Sequence, residues 1–94
     1  MNTKQREQFI TALKSGEYKQ CRGALCREVS VTVNNREFRY TGYCAVGLFE
    51  HLFGRYARRD ELNPLETQVL MTLNDNLRWD FERIANYLES GGLT

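Results

Sequence analysis

Three cysteines and one histidine are the chain's soft metal ligands and its thiol chemistry: Cys21, Cys26, Cys44 and His51. Cys₃His is a genuine zinc set, but Cys-x4-Cys lies outside the tightest knuckle spacing and His51 falls on the polar side of a helical stripe. The expectation is therefore no metal and no cofactor, with the thiols acting as small hydrophobes. Cys44 sits just before a helix, where the N-terminal dipole would lower its pKa. A Cys/His enzyme would need His51 aimed back at it, yet seven residues along a helix is about 10 Å, beyond hydrogen-bond reach. No other histidine can substitute, and the carboxylates form no telling pair. No catalytic residue emerges, and the chain reads as a non-enzyme.

Phosphate chemistry has a better candidate. In "SGEYKQCRG", Lys19, Gln20 and Arg22 lie between Gly16 and Gly23. With Tyr18 and Tyr43 as an aromatic platform they would suit a nucleotide, the cations meeting phosphate and a ring stacking a base. The same residues also suit a structural loop, with Gly16 in the left-handed region, Tyr18 packing and Gln20 bridging backbone. Gly42-x4-Gly47 lacks the Lys-Ser/Thr of a Walker loop, and there is no G-x-G-x-x-G.

Charge is distributed unevenly. Residues 1–59 carry eleven Lys or Arg against five acids, whereas residues 60–94 carry two against seven. The halves can neutralise each other, or the acidic one can seek a basic partner. On the second reading Asp75, Asp80, Glu82 and Glu89 form the contact surface, facing the basic surface of a host protein complex. The segments 64–73 and 80–89 have helix-turn-helix proportions, but "DFERIANYLES" has three acids and one Arg. A recognition helix entering phosphates should be basic, so sequence-specific DNA binding is not expected.

These residues must be held by a small scaffold. Ninety-four residues, 41% hydrophobic and 27% charged, suit one domain over 1–94 with a modest core. No apolar run is long enough to span a membrane, the polar start "MNTKQREQF" is unlike a signal peptide, and an odd cysteine count favours a reducing cytoplasm.

Asn2 or Thr3 can cap a first helix carrying Phe9, Ile10 and Leu13 on one stripe, stopped at Ser15-Gly16. From Ala24 the period becomes two. Val29, Val31 and Val33 precede Asn34-Asn35, then come Phe38 and Tyr40. A two-residue turn there pairs Val33 with Arg36, Val31 with Phe38 and Val29 with Tyr40 on one face, and Thr32 with Glu37 and Ser30 with Arg39 on the other. A helix over 44–56 follows, its broad apolar stripe expected to cover the hairpin. The run "RYARRDEL" reads as a charged connector. Asn63-Pro64-Leu65-Glu66 starts a third helix that Asn74-Asp75-Asn76 should break. Asp80 caps a last helix carrying Phe81, Ile84, Tyr87 and Leu88, closed by Gly91-Gly92. The expected fold is α+β, in order α-β-β-α-α-α, with one hairpin over about 24–43 packed on about four helices. A lone hairpin is marginal, and that helix is apolar over nearly half its circumference, so a homodimer through a hairpin edge or that helix's flank is expected.

Taken together, "ALKSGEYKQ", Gly23-Ala24-Leu25, "GYCAVGLFEHLFG", "LND" and "FERIANYLES" resemble a group of small bacteriophage and prophage proteins. The matching positions are Leu13, Ser15, Gly16, Tyr18, Gln20, Gly23, Leu25, Tyr43, Cys44, Gly47, Leu48, Leu73, Asn74, Asp75, Phe81, Ile84 and Ala85. Cys21 stands where the group more often has Gly, and Cys26 where a basic residue is usual, which further weakens a zinc site. The resemblance implies a phage accessory protein acting in the host cytoplasm by stoichiometric binding, as an inhibitor of a defence or nucleic-acid-processing complex. A nucleotide-sequestering protein is the alternative, and a thiol- or zinc-dependent one a further alternative.

Overall fold

A computed structural model describes residues 1–54 and 62–93. The elements are α1 (Thr3–Ser15), β1 (Lys19–Gln20), β2 (Cys26–Val33), β3 (Arg36–Tyr43), α2 (Ala45–Phe53), α3 (Pro64–Met71), a π-helical turn (Thr72–Asn76) and α4 (Phe81–Glu89). The α+β class, with four α-helices among the described residues, agrees with the sequence expectation. Tyr56 and most of the "RYARRDEL" connector lie outside the described residues. The longer α2 expected over 44–56 ends at Phe53, where Gly54 takes a positive φ of 87° and donates its N–H to the Glu50 carbonyl.

Local chemistry sets the helix starts. Asn2 and Asn63 each accept from the backbone N–H three residues on, and Gln5 and Glu66 reciprocate to the cap backbone, closing two capping boxes. Asp80 accepts from Arg83 N–H to start α4, and Gly16, at φ 77°, ends α1. The hairpin forms in the register that alternation demands, from Cys26↔Tyr43 to Val33↔Arg36, with Asn34 and Asn35 both at positive φ in the turn.

Two expectations are corrected. Among the described residues the sheet has three strands, in order β1-β3-β2, because Lys19 and Gln20 run parallel to Gly42 and Tyr43. The hairpin is also not covered by α2. Val31, Val33, Phe38 and Tyr40 remain 41%, 50%, 54% and 37% exposed. The reason lies in the core, where α2 spends its apolar surface on other helices. Ala45, Val46, Leu48 and Phe49 pack with Phe9 and Leu13 of α1, Leu70 of α3, and Ile84, Ala85 and Leu88 of α4. Phe9 meets Phe49 edge-on at 5.5 Å. The hairpin therefore projects from a helical body, and the chain measures 46 × 26 × 22 Å.

A third correction concerns residues 74–76. The regular α-helix ends before them, at Met71, and helical backbone runs on through them to end at Asn76. The helix widens into a single π turn closed by Leu77 N–H on the Thr72 carbonyl, 2.9 Å. A wide turn of this kind reorients its side chains, and here it leaves Asn74 fully buried. No helix among the described residues is long and apolar enough to cross a membrane.

Candidate functional site

The segments singled out in the sequence converge on Asn74. Its Oδ1 accepts from Gln20 Nε2 at 2.8 Å and from Ala45 N–H at 3.2 Å. Its Nδ2 donates to the Cys21 carbonyl at 3.0 Å and to Asp75 Oδ1 at 2.7 Å. Gln20 also donates to the Trp79 carbonyl, 2.8 Å. Arg22 donates from Nε to the Asn74 carbonyl and from Nη2 to the Arg78 carbonyl, 3.1 and 3.2 Å. Gly23 N–H reaches Asp75 Oδ1, 3.0 Å. Residues 20–23 are thus a belt fastened to the π turn.

The belt continues over α2. Cys44 N–H donates to the Leu25 carbonyl at 3.1 Å, and a Cβ on Gly47 would stand 1.6 Å from that carbonyl oxygen. Gly47 is required because the belt lies directly on the first turn of α2. Of the residues expected to hold a nucleotide, Gln20 and Arg22 therefore direct their donors to carbonyl and amide oxygens of the chain.

Tyr18 and Tyr43 come together, though with His51 as a third ring that sequence reasoning had not joined to them. Ring centroids are 6.0 Å apart for Tyr18–Tyr43, 5.8 Å for Tyr18–His51 and 4.8 Å for Tyr43–His51. Tyr43 Oη lies 3.5 Å from His51 Nδ1. The signal was an eight-residue step from a strand end into a helix, legible only once α2's direction is known. Lys19 is exposed and, with Lys14, Tyr18, Gln20, Asp80 and Glu82, lines a groove of about 330 Å³ between α1 and α4.

The four acids proposed as one contact surface have different employment. Asp75 holds the belt, Asp80 caps α4, and Glu89 pairs with Lys14. Glu82 is exposed at the α4 start. Cys44 also departs from expectation. Burial pushes its thiol up, and the Gly47 N–H that donates to Sγ only partly opposes this. Desolvation outweighs the backbone hydrogen bonds that would lower it. Among the described residues, no group of three or more His, Cys, Asp or Glu is placed to hold a metal ion.

One face of the hairpin is open to an outside molecule, and so, elsewhere on the described surface, are the side chains of Leu65, Met71 and Leu77. Alternation along the register places Arg27, Val29, Val31 and Val33 of β2 beside Tyr40, Phe38 and Arg36 of β3 on one side. The opposite side carries Glu28, Glu37 and Arg39, joined by ion pairs of 3.4 Å. Among the described residues, neither Arg27 nor Arg36 is in an ion pair. Compared with known protein families, curated proteins and solved structures, the chain finds no match.

Proposed function

We propose that the chain is a stoichiometric binding protein of phage type, inhibiting a host nucleic-acid-processing or defence complex, and that the projecting hairpin is its recognition element. One observation carries this. The helical body buries its own core, yet a row of valine and aromatic side chains on the hairpin stays exposed. Contiguous apolar surface of this kind on a small chain marks an interaction site. The belt expected to bind a nucleotide has Gln20 and Arg22 engaged within the chain, and Asp75, Asp80 and Glu89 have partners of their own.

The test is expression in a bacterium whose nucleic-acid-targeting defence blocks a phage. Wild-type chain should raise the plating efficiency of that phage. The double substitution Phe38→Ala, Tyr40→Ala should remove the effect, whereas Asp80→Lys, Glu82→Lys, Glu89→Lys should retain much of it. The opposite pattern would return the contact surface to the acidic helix.

A second reading keeps Tyr18 and Lys19 as a nucleotide site in the groove they line with Lys14, where Asp80 and Glu82 on the same lining and Glu89 on Lys14 oppose a phosphate. It requires a thermal shift with a linear or cyclic nucleotide, about 2.7 kcal/mol of added stability at a hundredfold excess over Kd. A panel of nucleotides giving no shift removes it.

A further inference from the structure

We propose that the hairpin face bounded by Arg27 and Arg36 binds single-stranded nucleic acid. Bases stack on Phe38 and Tyr40, and phosphates lie at the two guanidinium groups. This rests on the reading of the hairpin as the recognition element and names its partner.

The arrangement is a strip. From Arg27 to Val33 the face runs about 20 Å, at roughly 3.4 Å per residue. Phe38 and Tyr40 are alternate residues of β3, so they share a side with Cα atoms about 7 Å apart. Both are substantially exposed, and the valines beside them form an apolar floor. Aromatic side chains set on the open face of a sheet are a sequence-tolerant platform for unpaired bases, because every base has a π face. Of the hairpin's own residues this face carries two cations and no acid, whereas the acids of the hairpin lie on its other side.

The same charges argue against other occupants. A second copy stacked face to face would set Arg27 and Arg36 against Arg27 and Arg36 in either direction. A basic protein surface is repelled for the same reason. Tip-first insertion into a bilayer would bury Asn34, Asn35, Arg36 and Glu37, all exposed and polar. An acidic protein would have to place carboxylates at both ends of a 20 Å strip, while a polynucleotide carries a phosphate at every residue. Duplex DNA keeps its bases stacked on each other and offers the rings nothing. Covering single strands is also a direct way to starve a nucleic-acid-processing complex.

The experiment is fluorescence anisotropy of the full chain with a labelled oligothymidylate about twenty nucleotides long, longer than the roughly 4–16-nucleotide sites of sheet-based single-strand binders. An oligouridylate and a mixed-sequence duplex serve as comparisons, at several salt concentrations. Wild-type chain should bind both single strands more tightly than duplex. Phe38→Ala and Tyr40→Ala should each weaken binding about 5- to 150-fold. Arg27→Gln with Arg36→Gln should lower the slope of log affinity against log salt by about 1.4. All four side chains are exposed, and melting curves should stay unchanged, which separates loss of binding from loss of fold. Absence of oligothymidylate binding, or binding indifferent to both ring substitutions, overturns the proposal. Light scattering and vesicle sedimentation on the same proteins then locate the failure. Self-association or vesicle binding lost with Phe38 and Tyr40 would leave the hairpin as the recognition element with a different partner. If the ring substitutions also leave phage plating unchanged, the reading of the hairpin as recognition element falls as well.

Discussion

Gln20 Nε2 lies 2.8 Å from Asn74 Oδ1, a hydrogen bond across 54 residues of sequence that ties the loop after α1 to the π turn after α3. Asn74 is fully buried and satisfies both ends of its amide. Asn74→Ala would remove the acceptor for Gln20 and for the buried Ala45 N–H. Each stranded donor costs about 1–3 kcal/mol, so a loss of about 3 kcal/mol is expected. For a chain this size that lowers the melting temperature by about 12–24 °C. Asn74→Asp adds a sign test. The new carboxyl would be buried beside Asp75, so its folded pKa rises above the unfolded value. Its stabilising, protonated form is then present at low pH and lost as pH rises. The variant should melt higher near pH 4 than near pH 7 relative to wild type, as followed by circular dichroism.

Gly47 poses a purely steric question. A methyl group there meets the Leu25 carbonyl oxygen at 1.6 Å, a backbone atom that cannot swing aside without moving the belt. Gly47→Ala should cost about 3 kcal/mol or more, at the upper end of overpacking effects. Gly23→Ala meets open space and is strained only by its positive φ of 79°, so about 1–2 kcal/mol is expected there. Urea denaturation of the two variants distinguishes them, and equal losses would mean that α2 and the belt are not in contact.

Periodicity made the hairpin register legible to the residue, because a side-chain period of two and an Asn-Asn turn leave one consistent pairing. Caps at Asn2, Asn63 and Asp80 were legible for a similar reason, since they are set by side chains within three positions. What the hairpin faces was not legible. Alternation says that Val29, Val31, Val33, Phe38 and Tyr40 share a side, but not whether the chain has surface to spare for them. Here the apolar stripe of α2 is consumed by α1, α3 and α4. The two-residue strand β1 and the π turn were equally hidden. Lys19-Gln20 has no periodicity to read, and Asn74-Asp75-Asn76 is a breaker by propensity that a buried hydrogen-bond network overrides.

Arg6 shows how far local rules reach. Its guanidinium donates to the carbonyls of Leu88, Gly92 and Leu93, placing a cation at the C-terminal end of α4. There it adds a charged donor to carbonyls at and just past the end of α4, Leu88's also accepting from Gly91 N–H, and complements the dipole. Arg6→Ala should cost about 1–3 kcal/mol. Arg6→Lys should recover less than half of that, because an ammonium cannot fork over three carbonyls. Thermal melts of both variants check the order, and a fully restored melt with lysine would mean that charge alone matters.

Cys44 links the core to pH. Its folded pKa is raised by burial above the unfolded value, so the folded state keeps a proton that the unfolded chain releases. The sign follows from linkage. Stability is fully present below the unfolded thiol pKa and declines as pH climbs from there toward the folded pKa. Two measurements check this. Alkylation of Cys44 by iodoacetamide in the native chain should be far slower than in urea-unfolded chain near pH 8, since thiolate and access are both scarce. Urea midpoints should fall as pH rises above about 8.5, and Cys44→Ala should flatten that fall. A native alkylation rate matching the unfolded one would mean the thiol is open to solvent and activated by the α2 dipole after all.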